Sequence, residues 1–307
     1  MSYAFVFPGQ GSQSPAMLAD LAVNHSQVAE VFQRASAVLG YDLWDLVQND
    51  DSGKLNQTDV TQPAMLAAGM AVFEVLKAQK SVAPAFVAGH SLGEYTALVA
   101  AGAMTLEQGI ELVALRGRLM QSAVPAGTGA MAAVLGLEDE VVVQVCAAVD
   151  GIVEAVNFNS PGQVVIAGKK AAVDAAQEAA LAAGASRVVP LPVSVPSHCS
   201  LMKPAAEQLA EKLALVTIQM PTVPVLHNVH FAQASTPDEI KDLLVKQLYQ
   251  PVQWVKTVAA MKAAGVTDLF EIGPGKVLMG LNRRIDRKMA MQAVFDTATL
   301  EKAVASL

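Results

Sequence analysis

The sequence predicts an α/β protein: a large domain with a short parallel sheet, interrupted by a smaller inserted βαββαβ unit. Three observations carry that expectation. The chain has 307 residues, 53% of them hydrophobic, enough for one large core or a large and a small one. Aromatics make up only 5%, and small apolar residues of the Ala, Val, Leu and Gly kind suit helices packed closely on a parallel sheet. Finally, short apolar runs alternate with helical patterns, except in one stretch where two strands follow each other directly.

Taken in order, Ala4-Phe5-Val6-Phe7 reads as a strand that ends in Pro8-Gly9-Gln10-Gly11-Ser12-Gln13. Ser14 stands where a dinucleotide fingerprint would have its third glycine, and no acidic residue closes a βαβ unit, so no nucleotide site is expected. The loop still brings backbone N–H groups to the C-terminal end of a strand, where sites form in open α/β sheets. Apolar positions at helical spacing cover 17–39 and 63–78. A strand over 84–88 then meets Gly89-His90-Ser91-Leu92-Gly93, and helices follow over 94–101 and 106–122. Strand, G-x-S-x-G turn and helix together form a nucleophile elbow. The turn is so tight that the residues two before and two after the serine must lack side chains, and both are glycine. This makes the large domain α/β-hydrolase-like in expectation.

From about residue 128 the character changes. Strands are expected over 131–137, 153–158, 163–168 and 187–191, with helices over 138–148 and 169–183. Ser160-Pro161-Gly162 turns the middle pair. The order βαββαβ is that of a ferredoxin-like unit. The domains are therefore expected at 1–126 with 194–307 for the large one, and 127–193 for the small one. Beyond it, helices are expected over 203–215 and 237–249, and strands over 223–227 and 268–272. Gly273-Pro274-Gly275 closes the last strand and a helix resumes at Val277; since Val277 follows Lys276, this is no phosphate-binding P-loop.

The net charge of −7 and the lack of a basic, aromatic-studded strip argue against nucleic-acid binding. Cys146 and Cys199 are too few for a disulfide framework and form no C-x-x-C, which fits a reducing compartment; Cys199 reads as a small buried filler rather than a reactive thiol. No basic n-region precedes the first strand, and the apolar run over 97–104 is too short for a bilayer. A cytoplasmic protein with no membrane association is expected.

A serine nucleophile needs a base, and the chain offers five histidines. His90 adjoins the nucleophile but should point away from its hydroxyl, and His25 reads as a surface residue. His198 lies in Val195-Pro196-Ser197-His198-Cys199, where the chain returns from the small domain, a favoured place for active-site residues. His227 and His230 remain alternatives. Arg116 is the second unusual residue. It falls four residues after Leu112 and four before Met120, on the apolar face of its helix, whereas Arg118 points elsewhere. A buried arginine needs a partner, either a protein carboxylate or a substrate carboxylate gripped by the planar fork.

Taken together, Phe7-Pro8-Gly9-Gln10-Gly11-Ser12-Gln13, Gly89-His90-Ser91-Leu92-Gly93-Glu94-Tyr95, Arg116-Gly117, Asn157-Phe158-Asn159-Ser160-Pro161-Gly162-Gln163, Pro196-Ser197-His198 and Glu271-Ile272-Gly273-Pro274-Gly275 closely resemble the bacterial malonyl-CoA:acyl carrier protein transacylases of type II fatty acid synthesis. The resemblance runs from Ala4 to Asp296-Thr297, and it implies specific roles. Ser91 would be the acylated nucleophile and His198 its general base and acid. The backbone N–H groups of Gln10 and Leu92 would form the oxyanion hole. Arg116 would bind the malonyl carboxylate. A main-chain carbonyl, matched here by Gln247, would orient the histidine in place of a triad carboxylate. The substrate would be malonyl-CoA and the acceptor the phosphopantetheine thiol of an acyl carrier protein, with no bound cofactor or metal and a monomeric enzyme. Carrier proteins of this kind are acidic, so docking calls for a local basic patch: Arg283, Arg284, Arg287 and Lys288 with Lys276, or Lys169, Lys170 and Arg187. Two other readings stay open. A serine esterase or thioesterase would use the same elbow with water as acceptor and would have no need of a buried arginine. A non-catalytic binding module would carry an idle elbow.

Overall fold

The computed structural model describes residues 2–51, 53–193 and 195–307. Residue 194, at which the large domain is expected to resume, and residue 1 lie outside the described residues. Along the chain run β1 (Tyr3–Phe7), α1 (Ala19–Asn24), α2 (Ser26–Leu39), α3 (Leu43–Gln48), α4 (Thr58–Gln79), β2 (Phe86–Gly89), α5 (Gly93–Ala100), α6 (Leu106–Ala123), β3 (Gly129–Leu135), α7 (Asp139–Ala148), β4 (Val153–Ser160), β5 (Gln163–Lys169), α8 (Lys170–Ala182), β6 (Arg187–Pro190), α9 (Lys203–Leu215), β7 (Val225–Leu226), α10 (Pro237–Gln247), α11 (Trp254–Ala263), β8 (Asp268–Ile272), α12 (Val277–Ile285), β9 (Ala290–Val294) and α13 (Thr297–Ser306).

The result is a mixed α/β fold with one parallel and one antiparallel sheet. Five strands in the order β7-β2-β1-β8-β9 pair in parallel, with β1 at the centre. Side chains alternate across a strand, and β1 uses that alternation to separate two cores. Phe5 and Phe7 face α4, where both meet Phe73 edge-on. Ala4 and Val6 face the other way, and with Ala88 they leave room for the fully buried Trp254 of α11.

Between α6 and α9 the chain forms the βαββαβ order, and its four strands pair antiparallel as β4-β5-β3-β6. Ala132, Val134, Val164 and Ile166 face α7 and α8. Met131, Ala133, Val165 and Ala167 face the opposite way, against Cys199. Val252 ties this unit to the rest: its N–H donates to Val156 C=O and its C=O accepts from the Phe158 N–H. The second face of the small sheet therefore closes over the C-terminal ends of the large one.

Several element limits differ from expectation for identifiable reasons. The pattern over 17–39 breaks at His25, whose extended backbone (φ −134°) separates α1 from α2. α4 starts at Thr58 and carries Pro63 inside it, close enough to its start that the missing N–H interrupts only the first turns. The strand expected over 223–227 shrinks to two residues at the sheet edge, where Pro224 contributes only its carbonyl to the Val87 N–H. α3, α11, β9 and α13 had no counterpart in the sequence reading. No helix among the described residues is long and apolar enough to cross a membrane.

Candidate active site

β1, β2 and α5 build the elbow. A Cβ on Gly89 would lie 1.9 Å from the Gly93 carbonyl, and one on Gly93 would lie 2.1 Å from the Phe7 oxygen, so neither position admits a side chain. Ser91 sits at φ 52°, a left-handed conformation unfavourable for a non-glycine residue. Asn228 holds it there. Its Oδ1 accepts from the Ser91 N–H at 2.6 Å and its Nδ2 donates to the Gly89 carbonyl at 2.6 Å.

His198 meets the serine from the loop after β6. Its Nε2 lies 2.7 Å from Ser91 Oγ, and its Nδ1 lies 2.6 Å from the main-chain oxygen of Gln247 at the end of α10. The carbonyl can only accept, so Nδ1 carries the proton and Nε2 is left free to take one from the serine. His198 is also at positive φ, 66°, and its N–H donates to the Leu248 carbonyl at 2.9 Å. Burial pushes its pKa down from 6.5 to about 3, the nearby Arg116 charge adds to the fall, and the Gln247 carbonyl opposes it. The imidazole is thus neutral at ordinary pH, as a base must be.

Arg116 projects from α6 into the same cavity, which holds about 160 Å³ and is also lined by Gln10, His90, Ser91, Leu92, Asn157 and His198. Its partner is not a protein carboxylate. Nη1 donates to Gln62 Oε1 at 2.8 Å and Nη2 to Gln247 Oε1 at 3.0 Å, while Nε is buried without a partner. The guanidinium lies 5.6 Å from the centre of the Tyr95 ring. This is a buried cation held by neutral amides, an arrangement that leaves it able to take an anion. The α5 N-terminus and the loop after β1 bring Leu92 and Gln10 to the cavity wall. Gly93, Glu94 and Tyr95 spend their N–H groups within the turn, whereas no protein acceptor takes the Leu92 or Gln10 N–H among the described residues.

The structure thus brings Ser91, His198, Gln247, Arg116, Gln10 and Leu92 together around one cavity. No other histidine is hydrogen-bonded to Ser91 Oγ among the described residues. His90 turns away to Asn159 Oδ1 at 2.7 Å and packs on Trp254. His227 is buried against Glu94 and His230 sits beside His227. Cys199 is a buried filler: its thiol donates to the Pro196 carbonyl, and burial pushes its pKa up to about 12. The sequence reading missed Gln62, Glu94 and Asn228, which lie behind the site and bond to the residues that line it or hold them. The signal was present for Glu94, a carboxylate directly ahead of the apolar run of α5; Gln62 and Asn228 left none.

The chain matches the acyl transferase domain family over residues 4–295. The malonyl CoA-acyl carrier protein transacylase of Escherichia coli (strain K12) is 54% identical over 304 residues, with 98% of each chain covered. An acyl carrier protein S-malonyltransferase from Vibrio cholerae has a similar structure, with a TM-score of 0.96 and 54% identity over 99% of this chain and 100% of that one. A malonyl-transacylase solved in complex with its holo type II PKS acyl-carrier protein aligns over 100% of both chains, with a TM-score of 0.99 and 51% identity.

Proposed function

The chain belongs to the acyl transferase family, and within it to the malonyl CoA-acyl carrier protein transacylases, and from that premise we propose how this site moves a malonyl group from coenzyme A to the phosphopantetheine thiol of an acyl carrier protein. The observation that carries the reading is the line Ser91 Oγ, His198 Nε2, Gln247 C=O running into the same cavity as the buried Arg116.

Malonyl-CoA enters with its carboxylate on Arg116 and its thioester carbonyl beside Ser91. His198 Nε2 takes the Oγ proton while Oγ attacks the carbonyl carbon, and the Gln10 and Leu92 N–H groups bind the oxyanion. The C–S bond breaks, the sulfur of coenzyme A takes the proton from His198, and malonyl-Ser91 remains. In the second half the carrier thiol gives its proton to His198 and attacks the same carbonyl. The Oγ–C bond then breaks and the proton returns to Ser91. A wider cavity of about 590 Å³ shares Gln10, Thr58, Met131, Leu191 and Val193 with the first and is the approach for the pantetheine arm. A main-chain carbonyl fixes the histidine tautomer but stabilises imidazolium less than a carboxylate would. That suffices for a thiol of pKa about 8.5 and serves water poorly, so the acyl-serine waits for its carrier. The 54% identity to a malonyl CoA-acyl carrier protein transacylase over 98% of the chain disfavours the esterase reading.

The domain limits of 1–126 with 194–307 and 127–193, α/β-hydrolase-like and ferredoxin-like respectively, are supported by the two sheet orders. All six site residues come from one chain, so a monomer suffices, and two free buried thiols accord with work in the cytoplasm. For carrier docking we favour the end of α12. Arg283, Arg284, Arg287 and Lys288 are exposed there, and Arg284 bonds Gln163 of the small sheet at 2.8 Å, whereas Lys170 of the rival patch is already paired with Asp174. Charge reversal at Arg283 and Arg287 should weaken the apparent carrier affinity at unchanged acylation by malonyl-CoA. An effect confined to Lys169 and Arg187 variants would move the dock to the other patch.

The first experiment is an intact-mass measurement after mixing with malonyl-CoA. One malonyl adduct, absent from Ser91→Ala and discharged by added carrier, is the expected result. Free malonate accumulating without an adduct would establish a hydrolase instead.

A further inference from the structure

Beneath the elbow lies a carboxylate that the reaction scheme does not use. Glu94, the second residue of α5, is fully buried. It accepts from His227 Nδ1 at 2.6 Å, from the Asn228 N–H at 3.0 Å and from Gln247 Nε2 at 2.7 Å. Gln247 Nε2 also donates to the Ser91 carbonyl at 2.9 Å. Both hydrogens of this amide nitrogen are therefore claimed by groups that can only accept. That fixes the other end of the amide: Oε1 must face Arg116 Nη2, as it does at 3.0 Å. The reverse flip would set N–H against the guanidinium and oxygen against a carboxylate.

We infer that Glu94 is a positioning residue for malonyl specificity, acting through the Gln247 amide to hold the Arg116 fork in place. The inference rests on the reading of Arg116 as the malonyl carboxylate site. No ion pair within 4.0 Å reaches Arg116 among the described residues, so Glu94 offsets the buried positive charge only from behind an amide. A carboxylate bonded directly to the fork would occupy the donors that the substrate needs. One inserted glutamine keeps the charges balanced and the fork open. His227 serves as a donor to Glu94: its Nε2 has no partner among the described residues, so nothing competes for the Nδ1 proton.

Acetyl-CoA provides the control, because it has no free carboxylate and uses Ser91 and His198 without the fork. Glu94→Gln keeps the shape of the side chain. Its carbonyl can still accept from Asn228 and Gln247, and its NH2 can face His227 once that ring carries its proton on Nε2. What is lost is the negative charge, which strengthens the bond from Gln247 Nε2 and balances the Arg116 cation from behind the amide. Single-turnover acylation of Ser91 by malonyl-CoA and by acetyl-CoA reads the effect. The expected result for Glu94→Gln is a malonyl-to-acetyl rate ratio about tenfold below wild type, with the acetyl rate within about twofold. Gln247→Leu, which keeps the main-chain carbonyl and deletes the amide, should lower the ratio similarly, and the double variant no further, since both act on one link. Malonyl and acetyl rates falling in step, an unchanged ratio, or a double variant losing the product of the two single effects would each overturn the inference. Should Gln247→Leu fail to fold, the ratio in Glu94→Gln decides alone. Wild type and Arg116→Ala run alongside. If wild type shows no malonyl preference, or Arg116→Ala keeps it, the reading of Arg116 has failed rather than the role of Glu94.

Discussion

At one end of the cavity Ser91 and His198 sit at positive φ, 52° and 66°, joined by a 2.7 Å bond; at the other, Arg116 rises from a regular helix and is held through the amides of Gln62 and Gln247. The reacting end takes its precision from the main chain. Its turn excludes any Cβ at Gly89 or Gly93, its histidine is oriented by a carbonyl, and the oxyanion donors proposed for it, Gln10 and Leu92, act through main-chain N–H groups. The recognising end takes its precision from side chains on rigid helices. A site built in this way can change which acyl group it accepts by substituting side chains, while the chemistry, fixed by the backbone, stays as it is.

The sharpest way to break that comparison is Arg116→Ala. Loss of a charge-assisted, two-point grip on a carboxylate amounts to about 3 kcal/mol, or about a hundredfold in acylation by malonyl-CoA. Acetyl-CoA should acylate Ser91 at close to the wild-type rate, so that the preference inverts or vanishes. Side-by-side acylation rates check this. If both rates fall a hundredfold, the two ends are one structural unit rather than two.

The same division explains what could be read in the sequence. The reacting end was legible because main-chain geometry leaves a residue signature: two glycines around a serine, strand before and helix after. The small unit was equally plain, since the short apolar runs of β3 and β5 and the Ser160-Pro161-Gly162 turn are local signals. The Arg116 face was visible from helical spacing, but its partners were not, because Gln62 and Gln247 lie 54 and 131 residues away and polar amides carry no period. Asn228 and His227 followed no pattern for the same reason; only folding brings them under the elbow. α11 does carry a stripe, since Trp254, Val258 and Met261 are buried at i, i+4 and i+7 against Ala4 and Ala88, so its spacing was legible in the sequence although the element went unread.

A smaller effect tests whether the two ends are electrically joined. Burial alone disfavours a charged His198, and the Arg116 cation adds to that, taking the pKa from 6.5 to about 3. Acylation by acetyl-CoA should therefore hold its rate as pH falls through 6.5, where an exposed histidine would already be protonated and inert. Arg116→Ala removes the repulsion but not the burial, so the acid limb of its pH profile should move upward and stay below 6.5. Stability follows the same sign. The unfolded chain binds a proton at His198 below about 6.5 and the folded chain does so only near 3, so this residue destabilises the fold progressively as pH drops through that window. Arg116→Ala should narrow the window from its lower edge, and denaturant melts between those limits would show it. An acid limb that stays where it is in the variant would mean that the cation is screened from the histidine, leaving burial as the whole cause.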